Sequence, residues 1–392
     1  MTAAVFQEGV VRIAGEGSLR VHSGRRRVRG GGLRKTTLAI AVALAAGAGV
    51  ASGAADGART SQRAATLSVM TRNIYLGGDI AKPIPARTRE EFEAKATELW
   101  NVVRRTDFPT RARLLAREVR RHRPDVIGLQ EVALWRRGPT GVKDGSATPA
   151  RTVVYDYLAL LLRELARAKL RYRVAAVQRE ADIEAPTSLG YDVRLTMRDV
   201  VLVRRRTGLR VVRKFGRNYK ARLVVPTVVG TFTALRGYAG VDLALGRQRV
   251  RVVNTHLEAF LDQTRVAQAQ ELAARGGPLR TSLPLIVVGD LNSDPRGDNP
   301  GAYRVLQSFG LRDTWVLRHG SKPANSCCLA REDLSDPTPA AFDHHIDHIL
   351  VKPRTRVLAQ VVVGTDPRNR SRSGLWPSDH GGHVAVVQLP RR

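Results

Sequence analysis

The stretch LIVVGDLNSDP, residues 285–295, decides how the chain is read. Leu285, Ile286, Val287 and Val288 make a short apolar run of the length of a buried strand, bounded by Gly289. The run leads into Asp290-Leu291-Asn292, where the chain must turn. A carboxylate and a carboxamide two residues apart therefore stand at the mouth of a core strand and can face one cleft. An Asx-type turn, with both side chains capping backbone, accounts for the pair on local grounds alone. The rest of the chain has to decide between a turn and a polar site.

The arrangement recurs. Residues 67–70 read as a strand leading to Asn73, and residues 125–132, DVIGLQEV, as a buried strand ending in Glu131. The strand from Arg249 ends in Asn254-Thr255-His256. Residues 346–351 carry Asp347 near their start, and Ser378-Asp379-His380 precedes a terminal strand over 384–389. Helical spacing covers 89–105, with Phe92, Ala96, Leu99, Trp100 and Val103 on one face, and also 111–121, 155–168, 264–274 and 302–309. Residues 172–178, 199–204, 210–214, 224–235 and 248–255 read as a β-meander. Residues 135–150 and 317–345 read as loops. Residues 235–245, with Tyr238, are the nearest candidate for an apolar hairpin exposed to a membrane.

The chain of 392 residues carries 65 Lys and Arg against 35 Asp and Glu, a net +30. Part of that excess follows from the Arg-, Ala-, Val- and Gly-rich usage of GC-rich coding sequence. The remainder favours polyanionic partners such as nucleic acid, anionic lipid or phosphorylated small molecules. Aromatic residues are 5% of the chain, which offers no base-stacking platform for single strands. The two cysteines, Cys327 and Cys328, are adjacent; they cannot staple distant segments and make no CxxC zinc cluster. They are two free thiols or one labile local disulfide. A basic block (Arg25 to Arg29, Arg34, Lys35), an apolar run over 37–50 and small residues over 51–55 follow the order of a secretory signal. The apolar part is short for a membrane span, which needs roughly 20 residues. The expectation is a leader over 1–55, a linker over 56–66 and one domain over 67–392, exported, with an uncleaved membrane anchor as the alternative.

Strand ends thus supply Asn73, Glu131, His256, Asp290, Asn292, Asp347, Asp379 and His380. Carboxylates and carboxamides suit Mg²⁺ or Mn²⁺. Histidines outside CxxC and HExxH contexts suit phosphate contact or acid–base work. An oxygen-lined site with two histidines is what phosphate-ester hydrolysis requires. Taken singly, Asn73, Asn292 and Asp379 could be turn caps, Glu131 a surface acid and His256 a satisfied core histidine. Asp290-x-Asn292-x-Asp294 mimics a calcium loop, but Pro295 stands where that loop needs Gly and Gly301 where it needs Glu. His344 and His348 have the spacing of a zinc pair; they read instead as surface or loop histidines.

LSVMTRNIYLG, VIGLQEV, VVNTHLEA, IVVGDLNSDP, HIDHILV and PSDHGGHVAV, in this order, resemble the motif series of the endonuclease/exonuclease/phosphatase superfamily. The resemblance runs from residue 67 to residue 389. It implies a four-layer α/β/β/α sandwich, as in deoxyribonuclease I, with one cleft across the strand ends. It implies Mg²⁺ at Glu131, with Asn73 close by and Asp379 completing the metal side. It further implies Asp290 activating water, Asn292 holding phosphate and positioning Asp290, His256 on the phosphate, and His380 oriented by Asp347. Arg72 stands where nucleases commonly show an apolar residue, and an Arg there could add a phosphate contact. Asp199 falls near the position of a polar residue that partners a histidine. The expected activity is an exported, monomeric, Mg²⁺- or Mn²⁺-dependent phosphodiesterase acting on nucleic acid. The alternatives are a sphingomyelinase-like enzyme acting on membrane phospholipid, an inositol-phosphate phosphoesterase, and a non-catalytic phosphate-binding or adhesion protein.

Overall fold

The computed structural model describes residues 5–7, 10–12, 65–141 and 149–390. The leader and linker expected over 1–66 lie almost entirely outside the described residues. Within them, β1 (Val5–Gln7) and β2 (Val10–Arg12) form an antiparallel pair of their own. No helix among the described residues is long and apolar enough to cross a membrane.

From residue 65 onward the elements run in order β3 (Thr66–Asn73), α1 (Arg89–Arg105), α2 (Phe108–His122), β4 (Val126–Gln130), β5 (Leu134–Gly138), β6 (Thr152–Asp156), α3 (Tyr157–Arg167), β7 (Tyr172–Pro186), β8 (Asp192–Arg204) and β9 (Leu209–Asn218). There follow β10 (Leu223–Thr227), β11 (Gly230–Ala234), β12 (Gly237–Leu245), β13 (Gln248–His256), α4 (Asp262–Ala273), β14 (Leu285–Asp290), α5 (Gly301–Ser308), β15 (Arg312–Asp313), α6 (Thr314–His319), β16 (Asp347–Val351), β17 (Arg356–Val363) and β18 (Gly382–Gln388). One sheet has the order β17-β18-β3-β4-β8-β5-β6, with β7 also on β8; the other has the order β15-β16-β14-β13-β12-β9.

The central strands of both sheets bury both faces. Leu67 and Val69 of β3 meet Val252, Ile286 and Ile349 between the sheets. Met70 of the same strand faces Trp100, Leu115 and Leu161 of the helices α1 to α3. Val253, Val287 and Leu350 face α4 and α5 on the other side. Apolar residues on both faces of a strand are what two covering layers require, and the result is the expected α/β/β/α sandwich. α1 has its apolar face as the spacing predicts, with Thr88 capping Glu91 N. α2 starts three residues earlier than the periodicity suggests, because Asp107 caps Thr110 N and Pro109 fits the first turn.

Three readings need correction. Residues 224–235 are a hairpin, β10 and β11, that turns just before Gly230 at φ +133°. Residues 135–150 are not all loop, since β5 pairs β8. The proposed apolar hairpin over 235–245 is β12, buried between β9 and β13. It presents no apolar surface to a membrane.

Topology gathers the strand ends. β3 runs parallel to β4, and β13 parallel to β14, so four carboxyl ends lie at one edge. β16 is antiparallel to β14 and β18 to β3, so each starts where its partner ends. Asp347 is thereby registered opposite Asp290. The sheets touch beneath this edge. A Cβ on Gly128 would come within 2.5 Å of Asn254 Oδ1, so the position takes no side chain. Gln130 donates to that same oxygen at 2.5 Å, and Asn254 donates to Leu129 O at 3.0 Å.

Candidate active site

The eight residues expected at strand ends converge on one cleft of about 260 Å³. Glu131, His256, Asp290, Asn292, Asp379 and His380 line it, and Asn73 and Asp347 lie beneath its floor. The Asn73 side-chain amide joins the two sheets, donating to Glu131 Oε1 at 3.0 Å and to Asp290 Oδ2 at 3.1 Å. Its carbonyl oxygen accepts from Tyr75 N, which fixes the amide's orientation. Glu131 Oε2 accepts from Leu76 N at 2.8 Å. Tyr75, Glu131 and Asn292 hold left-handed backbone, at φ +56°, +59° and +47°. Such conformations cost about 1 kcal/mol or more apiece and persist where the surroundings enforce them.

Asp290 Oδ1 accepts from Asn292 N at 2.9 Å, while Asn292 Nδ2 donates to Leu257 O. Asn292 therefore positions Asp290 through its backbone and ties down the end of β13 through its side chain. Burial raises the Asp290 carboxyl to about 6, against His380 and with Asp347 adding to the rise. Burial likewise raises Asp379 to about 6, with Glu131 adding and His380 opposing. His380 Nδ1 lies 3.0 Å from Asp347 Oδ2, which also accepts from Ser326 Oγ at 2.8 Å. Burial disfavours a charged imidazole, yet Asp347 and Asp379 hold His380 well above its ordinary value. His380 Nε2 points toward Asp290, 3.8 Å away.

His256 is the opposite case. Burial and Arg236 push it well below the usual range. Arg236 Nη1, which can only donate, stands 2.9 Å from His256 Nδ1 and 3.2 Å from Nε2, a position that disfavours a charged imidazole. One histidine is poised charged and the other neutral, with Nε2 of both within 4 Å of Asp290 Oδ2.

Arg236 is the main residue the sequence did not disclose. It is 5% exposed, lines the cleft, and its Nε has no hydrogen-bond partner. Nothing marks it in the sequence, because its segment reads as a surface hairpin. Gln130 and Asn254 stood inside quoted motifs without a role, and they turn out to link the sheets. Arg72 corrects a reading: it points away from the cleft, bonded to Glu118 at 3.0 and 3.2 Å and to the carbonyl oxygens of Asn73 and His380. Asp199 is fully buried with both oxygens unpaired; burial raises it, and the cation opposing that rise is Arg236. Cys327 and Cys328 are joined to each other, and Cys327 Sγ lies 3.6 Å from His380 Nε2. His344 is exposed beside Asp343, as expected, but His348 is 1% exposed and far from a surface residue.

Glu131 and Asp379 offer carboxylate oxygens, with His380 Nε2 4.0 Å from Asp379 Oδ1. Burial and mutual repulsion raise Asp379, a strain that a divalent cation between the two carboxylates would relieve. The residues present therefore fit a hard cation.

Residues 99–380 match the family model described as Endonuclease/Exonuclease/phosphatase family. Among solved structures, the chain is similar to an endonuclease/exonuclease/phosphatase from Bacteroides vulgatus, at 16% identity and TM-score 0.50 over 83% of this chain and 99% of that one. It is similar to a family protein from Leptotrichia buccalis C-1013-b at 17% identity and TM-score 0.50, over 82% and 100% of the two chains. A family protein from Bacteroides thetaiotaomicron aligns at 17% identity and TM-score 0.49, over 84% and 100%. No curated protein matches the sequence.

Proposed function

The chain belongs to the endonuclease/exonuclease/phosphatase family, a family of phosphoesterase hydrolases, and on that basis we propose that it is an exported, monomeric phosphodiesterase that cuts nucleic acid. The observation that carries this reading is the Asn73 amide, which holds Glu131 of one strand and Asp290 of the other sheet in a single cleft. Glu131 and Asp379 would hold Mg²⁺ or Mn²⁺; the Asn73 amide, expected beside the metal, turns its oxygen to Tyr75 N and its nitrogen to Glu131, so it orients that carboxylate rather than ligating. The ion would supply charge neutralisation of the phosphoryl oxygens.

Asp290, raised toward neutrality, deprotonates the attacking water. Asn292 keeps that carboxylate aimed. Neutral His256 and the Arg236 behind it bind a phosphoryl oxygen. His380, kept protonated by Asp347, donates to the leaving oxygen. Residues 56–392, without the eight bases and two acids of 1–55, keep a net +24, which favours a polyanion over a small phosphomonoester. Phe260, 52% exposed, and Arg331 stand at the cleft rim, where a base and a neighbouring phosphate would lie. The phospholipid reading loses its motive, because the segment offered for membrane contact is an interior strand. Export rests on the charge and apolar order of residues 25–55, which lie outside the described residues.

The test is the purified protein with Mg²⁺, Mn²⁺ or EDTA against plasmid DNA, RNA, sphingomyelin, inositol phosphates and bis-nitrophenyl phosphate. Metal-dependent cleavage of DNA or RNA is expected. Cleavage of sphingomyelin or inositol phosphates alone would reassign the substrate, and no cleavage at all would favour the phosphate-binding alternative.

A further inference from the structure

β16 has two chemically different faces. Asp347 shares the inner face with Ile349 and Val351, which pack between the sheets. His348 shares the outer face with Leu350, under α5, and its ring lies 4.9 Å from that of Tyr303. His348 thus stands back to back with Asp347.

On that outer face His348 Nδ1 is 2.8 Å from Asp313 Oδ2, and His348 Nε2 donates to Ser293 O at 3.1 Å. His345 places Nε2 3.8 Å from the same Asp313 oxygen, and the two imidazole rings are 4.2 Å apart. Asp313 Oδ1 accepts from Trp315 N. All three residues are at most 3% exposed, and their three candidate donor atoms lie within 4.8 Å of one another. His345 Nε2 has no hydrogen-bond partner.

A charged His348 paired with Asp313 accounts for half of this. It leaves His345 Nε2 buried and unsatisfied, at a cost of about 1–3 kcal/mol. It also makes both nitrogens of His348 donors, crowded against a second imidazole. A metal ion gives His345 Nε2 a partner and takes three of its ligands from these side chains. Tetrahedral zinc with bonds of about 2.0–2.1 Å sets neighbouring donors about 3.3 Å apart. The two distances to Asp313 Oδ2, 2.8 and 3.8 Å, bracket that edge. His348 would ligate through Nδ1 while Nε2–H stays on Ser293 O, and Asp313 would keep its second oxygen on Trp315 N. Outer partners of this kind orient metal ligands.

We propose that Asp313, His345 and His348 form a structural site for a transition-metal ion, zinc foremost, on the outer face of β16. Two imidazoles and one carboxylate distinguish it from the carboxylate pair Glu131 and Asp379. The ion would pin β15 and α6 to the strand that carries Asp347, at the edge of the six-stranded sheet.

The experiment uses the full chain, stripped with chelator, re-equilibrated with Zn²⁺ and freed of excess metal before elemental analysis; Co²⁺ is added in a parallel sample for its visible ligand-field spectrum. One zinc per chain and an intense tetrahedral cobalt spectrum are expected, together with a higher thermal midpoint when zinc is present. His345→Gln, which leaves the His348 bonds to Asp313 and Ser293 in place, should weaken zinc by more than the roughly 10–100-fold that losing an outer partner costs. Glu131→Gln should keep it. No retained zinc in the wild-type chain, or the same zinc content in His345→Gln and His348→Gln, overturns the proposal. Zinc lost in Glu131→Gln but kept in His345→Gln also overturns it, placing the ion in the cleft. Circular dichroism of each variant separates lost binding from lost folding. These readouts stand apart from phosphodiesterase activity, so the site is judged independently of the proposed function.

Discussion

Arg72 offers the sharpest test of how the cleft is held. Its guanidinium is 1% exposed and Glu118 5%, and the two make bonds of 3.0 and 3.2 Å. The remaining nitrogen, Nη1, donates to the carbonyl oxygens of Asn73 and His380. Arg72→Met keeps length and burial but strands Glu118 without its cation. Breaking a buried pair from one side costs about 3–5 kcal/mol, whereas replacing both partners by apolar groups is often close to neutral. Urea unfolding followed by far-UV circular dichroism should therefore show a large loss in Arg72→Met. Arg72→Met/Glu118→Leu should recover most of it, with a coupling energy toward the upper end of about 0.5–3 kcal/mol. Activity should behave differently. The double variant still lacks a donor for the Asn73 and His380 carbonyls, so its kcat on bis-nitrophenyl phosphate should stay low while KM changes little. If Arg72→Met loses less than about 1 kcal/mol while KM rises steeply, Arg72 reaches the substrate and its role as an internal clamp is wrong.

Glu131→Gln keeps shape and loses charge, so the Mg²⁺ concentration needed for half activity should rise steeply; an unchanged Mg²⁺ dependence refutes the assignment. His256→Ala and His380→Ala should each lower kcat by roughly 10²–10⁴-fold, whereas His344→Ala, at an exposed site, should stay within a few fold. Asp347→Asn removes a main group that raises His380 against burial, so the alkaline limb of kcat/KM should move to lower pH; an unmoved limb means Asp347 does not set that histidine. Because the folded value of His380 is raised, its stabilising contribution is complete below the unfolded value near 6.5 and fades as pH rises through the folded one, and Asp347→Asn should flatten that fall. Amino-terminal sequencing of exported protein should find a start near Asp56, and a start near Met1 refutes removal of the leader.

Most of the cleft was legible because strand ends depend on local patterns, whereas the four-layer fold was expected only from the resemblance of the motif series to a known family. Short apolar runs ending in Asn73, Glu131, His256 and Asp290 mark strand ends without knowledge of which strands pair. What stayed hidden depends on pairing. Arg236 reaches His256 only because β12 lies beside β13 in the sheet, and the segment before β12 carries no sign of that neighbour. Arg72 shows the same limit: adjacent to Asn73, it has its side chain on the opposite face of β3, where α2 supplies Glu118. His348 is the clearest case. Period-two alternation correctly separates it from Asp347, and it can assign the two residues to different faces. Alternation does not say whether the second face meets water. In a two-layer protein His348 would be a surface residue, as the sequence suggested. In this one the outer face of β16 lies under α5, so the same alternation that exposes a histidine elsewhere buries this one beside Asp313 and His345. The covering layer, rather than the strand itself, turns a spacing that looked incidental into a set of buried nitrogen and oxygen donors.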